Sequence, residues 1–271
     1  MVNLLVAAAL AAATPSGMTT ADLSAERPSE PAMFVVRDAD TTIYIFGTFH
    51  ALDGHSQWFG DQIRRAFEQS NELVLETLIP EERSEIPQPI PGFRPPSVTP
   101  SASFLATTRM AITAGRSQGM QVDNGADMVL RHVAEAEGKP VQGLETLEFQ
   151  LNMFNAMPAA VPTSASAPRA GQPVGEPPME SLSKAMAEMQ FAWKRGDQSV
   201  FVRMLGQLET GSPDTYRMMF SDRNARWADW IAARMQTPGT VFVAVGAGHL
   251  AGKDSVLVRL AEKGIASQRV Y

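Results

Sequence analysis

TTIYIFGTFH at residues 41–50 and TVFVAVGAGH at residues 240–249 read alike: each is an apolar, strand-like run that stops in Gly-x-x-His. With 20 glycines in 271 residues and only four histidines, chance puts a glycine three places ahead of a histidine about 0.3 times in such a chain. Two occurrences, both closing a strand, point to one reaction centre assembled from the two ends of the polypeptide. Glycine lets a strand turn sharply and lets backbone approach a ligand closely. Open α/β sheets present their chemistry at strand ends. The competing reading is a histidine that merely caps its strand through a hydrogen bond, and the coincidence of two weighs against it.

Working outward, MFVVRD from Met33 and TTIYIFG from Thr41 flank the polar break Asp38-Ala39-Asp40, which suits a β-hairpin. Phe59, Ile63, Ala66 and Phe67 follow at helical spacing, then ELVLET at 72–77 as a strand. Met128, Val129, Val133 and Ala136 mark another helix, and KPVQGLET at 139–146 a short strand before a helix over 147–157. Helices rich in Met and aromatic residues come next, including Met186, Met189, Trp193, Phe201, Met204 and Leu205. These are core filler at helical spacing, not a thioether metal site. A helical block with Trp227, Trp230 and Ile231 on one side has Arg223-Asn224 near its start. TVFVAVG, a helix through Val256, Leu257, Leu260 and Ala261 closed by Gly264, and a strand at 269–271 complete a β-α-β ending. The predicted class is α/β, a central mixed β-sheet flanked by helices, with proline-rich loop insertions.

Residues 32–271 read as a single domain. Met1 to Ala13 is uncharged, apolar and too short to span a bilayer, which suits a signal h-region. The stretch 14–31 is a flexible lead rich in Ser, Thr, Pro and Ala. Seven prolines between 80 and 100, and the Pro/Ser/Ala/Gly mixture of 158–178, mark the insertions. A net charge of -6 without a basic run argues against a nucleic-acid partner. No cysteine is present, so neither disulfides nor a lipidated Cys enters. The expected mature product has no integral membrane span and is periplasmic or secreted.

The candidates for chemistry are His50, His249, Glu76, Glu145 and Arg223. Glu76 follows Leu73, Val74 and Leu75, and burying its carboxylate demands a cation, a metal or a hydrogen-bond donor. Two imidazoles and a carboxylate form a common ligand set for a divalent metal that acidifies water or polarises a carbonyl. Glu145 suits either a ligand or base at a strand end or the first turn of the next helix. Arg223, with Asn224 beside it, could hold a substrate carboxylate or a developing oxyanion, or else make a surface ion pair. His55 and Asp53 in the loop after His50 are open between a supporting role and simple exposure; His132 is read as helix surface or packing.

These segments together resemble the TraB/GumN family, which includes the Tiki metalloproteases. The likeness rests on IYIFGTFHAL at 43–52, Trp58, ELVLET at 72–77, QGLET at 142–146, DRNARWADWI at 222–231 and VFVAVGAGHLAG at 241–252. It implies a fold similar to erythromycin-esterase and ChaN-like proteins. It also implies paired Gly-x-x-His motifs at His50 and His249, a strand glutamate at Glu76, and Arg223 with Asn224 late in the chain. Its animal members imply a metal-dependent peptidase using Mn or Co, with Zn also possible, acting on a peptide or protein substrate. Two other readings compete. One is a metal-independent, esterase-like hydrolase with His50 as general base oriented by Glu76. The other is a non-catalytic exported protein that binds haem, metal or a polymer.

Overall fold

The hairpin expected around Asp38–Asp40 forms, and the sheet grows outward from it. The computed structural model describes residues 30–78, 102–156 and 179–270, without the side chains of 102–107 and 179. β1 (Met33–Arg37) and β2 (Thr41–Thr48) pair antiparallel, Val35 facing Tyr44. Asp38 Oδ1 accepts the backbone N–H groups of Asp40 and Thr41, at 3.2 and 2.8 Å, which pins the turn as short acidic side chains commonly do.

β3 (Glu72–Thr77), β4 (Val141–Glu145), β5 (Gly239–Gly246) and β6 (Gln268–Arg269) complete a six-stranded sheet of order β4-β3-β5-β2-β1-β6. The four strands β4, β3, β5 and β2 run parallel; β1 runs opposite to both its neighbours, β2 and β6. The mixed sheet expected from the sequence is therefore present. β5 lies between β2 and β3, with Thr48 opposite Gly246, so the two Gly-x-x-His ends become neighbours despite their separation along the chain.

Between the strands come α1 (Asp61–Gln69), α2 (Ala102–Ser117), α3 (Ala126–Ala136), α4 (Leu147–Ala156), α5 (Met179–Lys194), α6 (Ser199–Gly211) and the short α7 (Pro213–Tyr216). A π-helical segment, Arg217–Ser221, leads into α8 (Asp222–Arg234), and α9 (Val256–Glu262) follows β5. Side chains alternate across the sheet with period two. Phe46, Leu73, Leu75, Phe242 and Ala244 pack with Ile63, Phe67, Met186, Trp193, Phe201 and Met204 on one face. Ile43, Ile45, Val74, Val241, Val243 and Val245 pack with Trp227, Ile231 and Leu260 of α8 and α9 on the other. The helical methionines are thus core, as their spacing predicts.

Several boundaries differ from expectation, among them the closing strand, which is Gln268–Arg269 and not 269–271. Pro31 is buried and the Glu30 N–H donates to Lys194 O, so docking begins within the last two residues assigned to the lead. Phe59 precedes α1 instead of opening it, yet still packs tilted against Trp58 and edge-on to Phe67. The h-region at 1–13 lies outside the described residues, as do the rest of the lead and the proline-rich stretches assigned to 80–100 and 158–178.

Candidate functional site

Four candidate side chains leave the sheet at the same edge, the carboxyl ends of adjacent parallel strands, in the spatial order Glu145, Glu76, His249, His50. This is where open α/β sheets present their sites. Glu76 shares parity with Val74, which directs it to the α8 face, and it is 4% exposed. Its Oε2 accepts from Arg223 Nη2 at 2.9 Å and its Oε1 from the Gly246 N–H at 2.6 Å. Burial disfavours the charge, but the Arg223 guanidinium above all, with the two imidazoles and the Gly246 donor, holds the carboxyl down at about 2.

Arg223 reaches this position from the first turn of α8, directly after the π-helical segment, a feature that frequently marks functional sites. The guanidinium is buried, 1% exposed. Nε donates to Glu145, Nη2 to Glu76 while lying 2.8 Å from Glu145 Oε2 as an ion pair, and Nη1 to Met219 O and towards His249 Nε2, 3.3 Å away. Burial opposes its charge, but Glu76 and Glu145 outweigh it and raise its pKa. Glu145 is the last residue of β4, not part of a helix turn, and also accepts from Gln150 and Arg226. Of the roles open for Arg223, holding a substrate carboxylate, steadying an oxyanion or making a surface ion pair, its burial removes the last; the guanidinium ties two buried carboxylates together.

His249 lies in a 3₁₀ turn, Ala247–Leu250, between the rings of Trp227 and Phe220, whose centroids are 4.4 and 4.9 Å from its own. The tautomer follows from its partners. Asn224 Nδ2 donates to the Asp254 carbonyl at 2.8 Å, so Asn224 Oδ1, which only accepts, faces His249 Nδ1 at 2.6 Å. Nδ1 therefore carries the proton and Nε2 presents a lone pair, 3.8 Å from Glu76 Oε1. Burial dominates here and, with Arg223 adding to it against Glu76, pulls the pKa down to about 3. Asn224 thus spends both polar ends on this ring and on the following loop.

His50 is held from elsewhere. Its Nδ1 lies 3.1 Å from Asp127 Oδ1, in the first turn of α3. Burial opposes protonation, yet the charges of Asp127 and Glu76 prevail and raise its pKa. Its Nε2 edge faces the centre: a Cβ on Gly246 would lie 3.0 Å from His50 Nε2, 3.1 Å from Glu76 Oε1 and 3.7 Å from His249 Cδ2. That convergence explains the glycine, because any side chain there would intrude on all three groups.

His50, Glu76, His249, Arg223, Asn224 and Glu145 therefore meet in one centre. His55 and His132 do not; both are exposed. Asp53 turns to Ser56 and Lys194, the latter at 2.9 Å. Asp127 was missed by the sequence reading. An acid in a helix's first turn is ordinary, and nothing in the local pattern tells that it faces a histidine far upstream.

A model of the TraB/PrgY/gumN family matches residues 32–90 and 97–269. The chain belongs to this family. No curated protein and no solved structure matches it. The six residues gathered at the strand ends lie within the TraB/PrgY/gumN match, so the residues that carried the resemblance are the ones the fold brings together.

The donor types suit the divalent metal that the resemblance implies. Both imidazoles have Nδ1 against an oxygen acceptor and Nε2 turned to the glutamate, the arrangement by which outer partners orient ligating histidines. In the present geometry no three His, Asp or Glu side chains among the described residues are drawn together as a metal-holding group. Arg223 Nη1 stands against His249 Nε2, a contact that ligation by His249 would exchange for the metal.

Proposed function

We propose that the protein is a metal-dependent hydrolase, peptide-cleaving and exported to the periplasm or beyond, with His50, Glu76 and His249 as the metal-holding residues. One observation carries the reading: two imidazoles from opposite ends of the chain, that of His249 buried and that of His50 half-buried, turn their Nε2 edges toward one buried carboxylate. A histidine kept only for packing has no need of a tautomer-fixing amide, nor of a carboxylate shared with a second histidine. Export rests on the apolar Met1–Ala13. No described helix is long and apolar enough to cross a membrane.

A bound divalent ion such as Mn or Co, or Zn, supplies an acidified water or a polarised carbonyl. The protein's own residues do the rest. Asn224 keeps the His249 lone pair inward. Arg223, balanced by Glu145, keeps Glu76 ionised at neutral pH, so that the carboxylate is available as a ligand and not lost to protonation. The aromatic rings around His249 exclude water and strengthen each of these contacts.

The test is metal analysis of the purified full chain, then cleavage of a peptide library with and without Mn or Co and with chelator. Stoichiometric metal and chelator-sensitive cleavage are expected. Metal-free protein whose activity no metal restores overturns the metal assignment. A second reading is favoured by the His50–Asp127 contact, which resembles a general base with its orienting acid. It differs from the pair expected from the sequence, His50 with Glu76. Chelator-resistant hydrolysis abolished by His50→Ala selects it.

A further inference from the structure

The segment before α3 grips the first motif through its backbone. The Ala126 N–H donates to Phe49 O at 2.9 Å, and Leu52 and Gln121 exchange backbone hydrogen bonds at 3.1 and 2.9 Å. Gly125 passes so close that a Cβ there would lie 2.5 Å from His50 O and 2.8 Å from His50 C. A clamp of this kind on both sides of His50 fixes the Cα position but not which ring nitrogen carries the proton. The next side chain along the clamp bears on that: Asp127 brings Oδ1 to 3.1 Å from His50 Nδ1. That oxygen is buried and makes no hydrogen bond of full geometry; the His50 ring nitrogen 3.1 Å away is the ion-pair partner that faces it. The first turn of an eleven-residue helix also favours a carboxylate electrostatically.

We infer that Asp127 is the positioning residue for His50, holding the proton on Nδ1 so that Nε2 presents its lone pair to Glu76 and to whatever is bound beside Gly246. The result is the counterpart, by a carboxylate, of what Asn224 does for His249 by an amide. Asp127 does not reach the centre itself and acts through the ring. The inference assigns the third residue of GADMVL, a stretch otherwise read only as an amphipathic helix. It rests on the proposed site only in what the lone pair is for; the tautomer is a property of the protein without any ligand.

The experiment uses the full chain, metal-free, with ¹⁵N-labelled histidine, at alkaline pH where the ring is neutral. Long-range ¹H–¹⁵N correlation reads the tautomer, and His50→Gln assigns the signals. In the unaltered protein His50 is expected in the Nδ1–H form. Asp127→Leu is expected to release it toward the Nε2–H form, and Asp127→Asn, whose amide oxygen still accepts, to restore Nδ1–H. A wild-type His50 mainly in the Nε2–H form overturns the inference without recourse to any variant. So does an Asp127→Leu protein that folds normally and keeps Nδ1–H. Titration with Mn²⁺ alone adds a second readout: Asp127→Leu is expected to bind it about 10–100-fold more weakly than wild type. If the wild-type protein binds no Mn²⁺ or Co²⁺, the metal assignment falls, while the tautomer still decides the role of Asp127.

Discussion

His50 and His249 end the same four-residue pattern on neighbouring parallel strands, and the protein treats them in opposite ways. His249 is walled in by Trp227 and Phe220, faces an amide at Nδ1 and a guanidinium at Nε2, and its pKa falls to about 3. His50 faces the Asp127 carboxylate at Nδ1, and its pKa rises above the ordinary 6.5. The motif sets where each ring is placed; residues from distant helices set its charge. A pair of this kind joins a ring that stays neutral down to about pH 3 with one whose protonated form is favoured.

The comparison is broken most severely on the His249 side by removing Arg223. Arg223→Met leaves Glu76 and Glu145 buried without their shared cation, and breaking a buried ion pair from one side costs about 3–5 kcal/mol. Urea denaturation of the metal-free protein measures it. Arg226→Met is the control: that guanidinium is half exposed, and its contact to Glu145 is expected to contribute under about 1 kcal/mol. Equal losses from the two variants would mean that Arg223 is not the hub.

The next effect is the acid limb of stability. His249 has a folded pKa below its unfolded 6.5, so its contribution is present above 6.5 and is lost as pH falls toward about 3. Glu76, lowered from 4.5 to about 2, contributes above 4.5 and loses that contribution below it. Between pH 6.5 and 4.5 the His249 part stands alone. Urea midpoints of wild type minus those of His249→Gln are expected to fall with pH across that window, and a flat difference refutes the buried neutral ring. Asn224→Leu tests the same ring from its other nitrogen. It leaves the Nδ1–H without an acceptor and is expected to cost about 1–3 kcal/mol by the same denaturation measurement.

How much of this could be read in advance divides along the same line. The strands were legible because apolar runs such as VFVAV, closed by glycine, have few other uses in a chain of this composition. Glu76 stood out because an acid after three apolar strand residues must find a cation. The identity of that cation was half legible: Arg223 was singled out, but no periodicity announces its burial between two carboxylates or the π-helical segment that precedes it. Asp127 was illegible because the contact joins the loop after β2 to the start of α3, and first-turn acids occur on most helices. Tertiary pairings of polar residues leave no pattern along a single sequence, whereas buried apolar faces do.

The smallest expected effect is also the one that separates the two rings most directly. The folded pKa of His50 is raised above the unfolded 6.5, so protonating it stabilises the fold. Its contribution is complete below 6.5 and disappears as pH rises through the folded value. His249 gives nothing in that range, because it is neutral in the folded and unfolded chains alike well above 6.5. Asp127→Asn removes the charge that raises His50 while keeping an acceptor in place. The wild-type advantage over this variant, read as urea midpoints in chelator, is expected to be largest below pH 6.5 and to shrink on the alkaline side. An advantage that grows with pH would mean that Asp127 supports the fold by a route other than the His50 ring, and the division of labour between the two motifs would lose its physical basis.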